Sequence, residues 1–194
     1  AFTRALAGAG YSMTGADLSV PMLSEAMRLA REAGLRIRYV QADAGKLSLG
    51  EKFDFLLSPN DCYNYISQEK LPAAFRHAAA ALKKGGFFWF DLSSAYKLRE
   101  KIADNIFADD REDVTYLCFT HLFADRVEMD VTLFARRADG AFGRLDEQHI
   151  QYIHETQDVI GKLEHAGFTV LRVEGHLGEE TAESDRVNFI CRKA

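Results

Sequence analysis

The sequence predicts an α/β fold: a mostly parallel sheet flanked by helices, followed by a three-stranded antiparallel piece. Three observations predict it. Short apolar runs alternate with helical stripes through the first half of the chain, the pattern of βαβ units. The run Phe87–Leu92 (Phe-Phe-Trp-Phe-Asp-Leu) is nearly all apolar, as for a strand buried on both faces. Between Val114 and His154 the apolar period switches to two, with turn signals between the runs, as for antiparallel strands with one wet face.

The elements follow in order. Phe2–Ala9 is short, Ala-rich and helix-prone, and Gly10 fits its stop. Tyr11–Ala16 reads as a short strand ending at Asp17. Ser19 is an N-cap, and Pro21 sits just inside the next helix, where its missing N–H costs nothing. Met22, Leu23, Ala26, Met27 and Ala30 form that helix's apolar stripe, and Gly34 closes it. Ile37–Gln41 is a second strand, ending near Asp43. Phe53–Leu57 is a third, ending at Ser58-Pro-Asn-Asp61, with residues 42–52 a loop between them. A helix over Glu69–Leu82 stops at Lys83-Lys-Gly-Gly86, where cations meet the negative helix end. Beyond the Phe87–Leu92 strand, Tyr96–Ala103 is a short helix. Val114–Phe123, Val127–Arg137 and Phe142–His154 are the antiparallel runs, and Ala138-Asp-Gly140 is a hairpin turn. Thr156 caps a helix through His165, stopped by Gly167, and Phe168–Glu174 and Val187–Cys191 are the last strands.

At 194 residues the chain is one domain. A hydrophobic share of 47% with 27% charged residues excludes a disordered chain. The net charge of −5 and pI near 5.7 exclude a protein that mainly coats nucleic acid, which needs clustered basic residues, so no stable nucleic-acid binding is expected. No run reaches the ~18 apolar residues of a membrane helix. Cys62, Cys118 and Cys191 are scattered and odd in number, which fits a reducing cytoplasm rather than a disulfide framework. No CxxC or HExxH occurs and the histidines lack metal-ligand spacing, so no metal site is expected.

Ligands of open α/β sheets bind beyond the carboxyl ends of the strands, and three such ends here carry acids: Asp17, Asp43 and Asp61. An acid at the tip of the strand before Ser19 can accept two hydrogen bonds from ribose hydroxyls. Its plainer role is to cap the next helix, but Ser19 already fits that position. Asp43 can accept an adenine exocyclic N–H while the Ala44 backbone N–H serves a ring nitrogen; its alternative is an ordinary loop acid. A nucleotide site of this kind also needs a glycine loop about 20 residues before the ribose acid. Counting back from Asp17 lands just before Ala1, so that motif and its strand fall outside the sequence, and a working protein ~30–50 residues longer is expected.

On these residues the sequence resembles the class I S-adenosylmethionine-dependent methyltransferases, particularly the small bacterial methyltransferase-domain proteins. Gly10–Ser19 with Met22-Leu23 is similar to the family's acidic second motif, and Val40–Ala44 to its adenine-contacting segment. Asp61–Tyr65 is similar to the segment after the fourth strand. Leu82–Asp91 resembles the Leu-Lys-Pro-Gly-Gly strand entry, with Lys84 where Pro is usual. Ala166–Phe168 and Ser184–Arg186 with the last strand complete the set. The resemblance implies a Rossmann-like, seven-stranded sheet whose last strand is antiparallel, formed by residues 1–112 and 155–194. Residues 113–154 would be an inserted antiparallel sub-lobe over the substrate side. It implies S-adenosyl-L-methionine as cofactor and methyl transfer to a small-molecule acceptor. Asp17, Leu18, Met22, Asp43, Ala44 and Asn60 would bind the cofactor, and Asn64, Tyr65, His149 and Tyr152 the acceptor. Asp61, His149 and Tyr152 are the candidate proton acceptors. Asn64 and Tyr65 have a plainer reading as the approach to the helix at Glu69. Glu147, His149 and Gln151 share one face of a strand, and Gln148, Ile150 and Tyr152 the other. The first face either points into the cleft or is the wet face of an exposed sheet. Two other functions remain open to this sequence. One is a non-catalytic nucleotide- or partner-binding module; the other is a nicotinamide oxidoreductase using the same acid on ribose.

Overall fold

The structure, a computed structural model, describes residues 1–194. Strands β1 (Thr14–Asp17) and β2 (Arg38–Gln41) form a parallel two-stranded ladder flanked by helices α1 (Phe2–Gly8) and α2 (Val20–Glu32). Ser19 caps α2 by accepting the Met22 N–H at 3.3 Å, and Pro21 lies in its first turn. Strands β3 (Phe53–Ser58), β4 (Leu82–Ser93), β9 (Phe168–Gly175) and β10 (Arg186–Lys193) form a four-stranded sheet in the order β3-β4-β10-β9. β3 runs parallel to β4, and β10 antiparallel to both of its neighbours. The core therefore has six strands in two sheets where seven in one were expected, because no ladder joins β1 or β2 to β3.

Helices α3 (Leu71–Ala81) and α4 (Thr156–His165) pack side by side on one face of the four-stranded sheet. Phe88 and Phe90 of β4 stack at 4.7 Å, and Phe90 stacks on Phe189 of β10 at 4.9 Å, with Tyr63 and Phe75 closing the cluster. All five are essentially inaccessible to water. The opposite face is open: Phe55 and Phe87, which pair across β3 and β4, are 51% and 39% exposed. The Phe87–Leu92 run is thus buried on one face throughout and on the other only toward its C-terminal end, where Trp89 is half-buried and Asp91 fully so.

The entry to β4 differs from the sequence reading. α3 passes directly into the strand at Leu82, so Lys83 and Lys84 are strand residues, and Lys83 pairs with Asp54 of β3. Gly85 takes φ +74° in the bulge that lets Phe53 pair with Leu82 and Phe55 with Phe87, and a side chain at Gly86 would strike backbone oxygens at 3.0 and 3.1 Å. The cation at the end of α3 comes instead from Lys193 of β10, which donates to the carbonyls of Ala79 and Leu82. In α4, Glu155 rather than Thr156 is the N-cap residue, and neither forms a side-chain capping bond.

The antiparallel sheet has four strands, not three: β5 (Ile106–Asp110), β6 (Val114–Leu122), β7 (Arg126–Arg136) and β8 (Phe142–Tyr152), paired in chain order. It begins before residue 113. A short π-helical segment, Lys97–Ile102, leads into it, and Leu98 from that segment packs with Val127 and Ile153 in a small second core. No helix is long and apolar enough to cross a membrane.

Candidate active site

β1, β2 and β3 end at one side of the molecule, and their acids converge there. Asp17 closes β1 and turns back to accept the Ser19 N–H at 2.8 Å, leaving its second oxygen without a protein partner. Asp43 follows β2 and accepts the Gly45 N–H at 2.8 Å, capping the 3-10 turn Ala44–Lys46. This is the local capping role, and it too leaves one oxygen free. Asn60 and Asp61 follow β3 in consecutive left-handed conformations, φ +63° and +48°, which Asn and Asp tolerate better than other non-glycine residues. The half-buried Cys62 thiol lies among the three acids. Burial pushes its pKa up, and the carboxylates of Asp17, Asp61 and Asp43 push it further, so it stays a neutral thiol.

Asp61 is the best-anchored of the three. Its N–H donates to Asp91 Oδ1 at 2.6 Å. Its Oδ2 accepts from Ser93 Oγ at 3.1 Å and from Gln151 Nε2 at 2.7 Å. Arg186 of β10 faces both acids, with Nη1 at 2.8 Å from Asp91 Oδ2 and Nη2 at 3.6 Å from Asp61 Oδ1. Lys97 donates to Ser93 Oγ at 3.3 Å. Two carboxylates thus share one guanidinium, and the Lys97 ammonium reaches them only through the Ser93 hydroxyl. Sequence reasoning assigned no role to Asp91, Ser93, Lys97 or Arg186. Asp91 alone carried a signal, as the one charge in a run of buried aromatics.

The other candidates separate into two groups. Asn64 is fully buried and spends its amide on the fold: Oδ1 accepts the Ser93 N–H, and Nδ2 donates to the carbonyls of Ser93 and Tyr152. It cannot meet an acceptor molecule. Tyr152 lies on the face of β8 opposite Gln151, because strand residues alternate, so its side chain points away from Asp61. His154 is buried, its Nε2 between the carbonyls of Tyr63 and Ile66, and burial lowers its pKa.

Tyr65, His149 and Glu147, by contrast, come together. The half-exposed Tyr65 ring meets His149 edge-on at 6.1 Å, and its hydroxyl lies 3.4 Å from Gln151 Nε2. Glu147 Oε2 lies 3.1 Å from His149 Nε2. The face of β8 holding Glu147, His149 and Gln151 therefore turns toward the strand ends at its Gln151 end and opens to solvent at Glu147. Tyr116 of β6 is on the same sheet face; burial and its hydrogen bond to Cys118 push its phenol up to about 12, so it stays protonated.

Acids at the ends of β1, β2 and β3, the first two adjacent and parallel, beside an antiparallel sheet, are the layout of an α/β enzyme that holds a nucleotide-type cofactor. Comparison with known proteins makes the class specific. Residues 1–86 match the family described as methyltransferase domain. A protein of Geobacillus sp. (strain WCH70) assigned as a methyltransferase is 32% identical over 97% of this chain and 78% of its own length. A Bacillus subtilis (strain 168) protein with the same assignment is 29% identical over the same shares. The crystal structure of an S-adenosylmethionine-dependent methyltransferase from Clostridium acetobutylicum ATCC 824 superposes with a TM-score of 0.89 at 28% identity, covering 95% of this chain and 76% of that one. The chain belongs to the class I S-adenosylmethionine-dependent methyltransferases.

The donor set fits that cofactor. It presents ribose hydroxyls, an adenine amino group and a positively charged sulfonium and ammonium. Asp17 and Asp43 each keep a free carboxylate oxygen here, and Leu18 and Met22 expose apolar side chains beside Asp17 (66% and 61% exposed). Once bound, the cofactor supplies an activated methyl group.

Proposed function

We propose that this chain transfers a methyl group from S-adenosylmethionine to a small-molecule acceptor lying between the Asn60–Tyr65 segment and the inner face of the antiparallel sheet. The observation that carries this reading is the convergence of Asp17, Asp43 and Asp61 around Cys62 at the ends of three strands. Three acids there favour a ligand with net positive charge. In this reading Asp17 holds the ribose, Leu18 and Met22 flank it, Asp43 and the Ala44 N–H read the adenine, and Asn60 lines the methionine end. Residues 1–105 and 155–194 form the cofactor-binding core, and the antiparallel sheet is the acceptor-side sub-lobe.

The residues of the chain need to do little bond-making chemistry. They must orient a nucleophile, exclude water and take up a proton where the nucleophile arrives protonated. Asp61 is a poor proton acceptor, because both oxygens already face donors. His149 is the better one. Glu147 can only accept, so His149 Nε2 carries the proton between them and Nδ1 keeps its lone pair. Tyr65 offers the acceptor an aromatic face and a hydroxyl. A sugar N-methyltransferase and a glycopeptide N-methyltransferase that share this fold at 21% and 16% identity are compatible with an acceptor bearing a nucleophilic nitrogen, without selecting one.

Calorimetric titration with S-adenosylhomocysteine tests the cofactor half. Asp17→Ala is expected to weaken binding by about 1.5–3 kcal/mol, the worth of hydrogen bonds to a charged group. Unchanged affinity refutes the ribose assignment.

A further inference from the structure

The two halves of the site are joined by one side chain whose role neither half explains. Gln151 lies on β8 of the antiparallel sheet and is only 6% exposed. Its strand neighbour across β7 is Val127, fully buried in the small second core. A primary amide placed against such packing is costly unless it is paired. The Gln151 amide is paired across the cleft, to Asp61 Oδ2 at 2.7 Å and, more loosely, to the Tyr65 hydroxyl at 3.4 Å. No other side-chain hydrogen bond reaches from the antiparallel sheet to one of the three strand-end acids.

Asp61 sits in the second of two successive left-handed residues. Asn and Asp take this conformation at little cost singly, but two in succession define a tight turn whose placement depends on what holds its side chains. Three of its fixings come from the core sheet: Asp91 takes its N–H, Ser93 donates to its carboxylate, and Arg186 Nη2 faces Oδ1 at 3.6 Å. Gln151 supplies the fourth, from the other unit. The remaining bonds between β8 and the Cys62–Gln68 segment run to main-chain carbonyls: Asn64 to Tyr152 and Gln68 to Ile153. Those fix where the sheet sits. The Gln151 bond fixes where the Asn60–Asp61 turn sits.

We propose that Gln151 is a positioning residue that sets the Asn60–Asp61 turn from the acceptor side, so that seating of the antiparallel sheet and closure of the cofactor site are one coupled event. By linkage, whatever binds on the Asp61 side then steadies β8, and whatever steadies β8 tightens cofactor binding. This rests on the Asn60–Tyr65 segment lining the cofactor site.

The test uses the full chain and S-adenosylhomocysteine as probe. Gln151→Glu keeps shape but sets a carboxylate against Asp61 at neutral pH, and its protonated form regains a donor. At pH 8 the variant is expected to bind about tenfold or more weakly than the unaltered protein, recovering most of that loss at pH 5.5. Gln151→Met is expected to be weak at both pH values. A merely structural role does not produce a pH-dependent rescue. Hydrogen exchange on the unaltered protein is independent of whether a variant folds: the probe should protect amides of Gln148–Tyr152 as well as Asn60–Tyr65. Wild-type affinity of folded Gln151→Glu at pH 8, or protection confined to Asn60–Tyr65, overturns the proposal. If Asp17→Ala also fails to weaken binding, the cofactor-site reading falls with it; if Asp17→Ala weakens binding and Gln151→Glu does not, only the coupling falls.

Discussion

Replacing Arg186 with Met should be the most informative single change in the polar junction. Arg186 lies 2.8 Å from Asp91 and 3.6 Å from Asp61, whose side chains are 6% and 17% exposed. Met keeps the length of the stem but removes the charge, leaving two adjacent carboxylates facing each other with little water. Removing one partner of a buried ion pair typically costs about 3–5 kcal/mol, because the charge left behind is uncompensated. The lower end applies here. Asp91 keeps the Asp61 N–H, and Asp61 keeps Ser93 and Gln151. An expected loss of about 3 kcal/mol corresponds, at a urea m-value of about 2 kcal/mol/M, to a midpoint shift of about 1.5 M. The companion change Asp91→Asn removes one of the stranded charges, so the double variant should recover at least about 1 kcal/mol relative to Arg186→Met alone. A midpoint shift under about 0.5 M refutes the reasoning, and so does a double variant less stable than Arg186→Met.

Two further outcomes follow from burial. Phe90→Ala removes the ring at the centre of the stack formed with Phe88, Phe189 and Tyr63, and should cost about 3–5 kcal/mol in urea unfolding; a loss below about 1.5 kcal/mol would mean the stack is not the main core. His154 is held neutral by burial, with Lys162 adding to the effect, so its folded pKa lies below the unfolded value of 6.5. Its contribution is complete above pH 6.5 and is lost as pH falls below that value, because the unfolded chain then takes up a proton the folded chain refuses. The stability advantage of the protein over His154→Gln should shrink between pH 7 and pH 5 in matched urea titrations; a constant difference refutes the assignment.

What the sequence revealed was what short-range physics controls. Ser19, Pro21 and Gly34 bound α2 because capping, a fixed φ and a left-handed stop all act within a turn. The alternation in β7 located that strand because Val127 and Val131 bury one of its faces; β8 is mostly exposed, with only Gln151 buried. β5 escaped because all five of its residues are exposed, so its run Ile-Phe-Ala-Asp-Asp has no periodic signal. The cap of α3 escaped because its donor, Lys193, is more than a hundred residues away in the chain. The site divides in the same way. Asp17, Asp43 and Asp61 were visible as acids at strand ends. The Asp91–Arg186 pair was not, since only the β4–β10 register brings the two together. Asn64 and Tyr152 were chosen for their chemistry, but one is consumed by the backbone it braces and the other faces away, and neither fact is local to its own stretch of sequence.

The manner in which β8 is fastened has an evolutionary consequence. Asn64 and Gln68 grip the end of the antiparallel sheet through the carbonyls of Tyr152 and Ile153, groups that every residue type supplies. Side chains along β5–β8 can therefore drift without loosening the mount, provided that Gln151, the buried His154 just beyond β8 and the packing of Val127 and Ile153 persist. The roof is, in effect, a contiguous cassette on a sequence-blind bracket. One cofactor-binding half can be refitted for a new acceptor by rewriting a single stretch of the chain, while residues 17–61 stay unchanged.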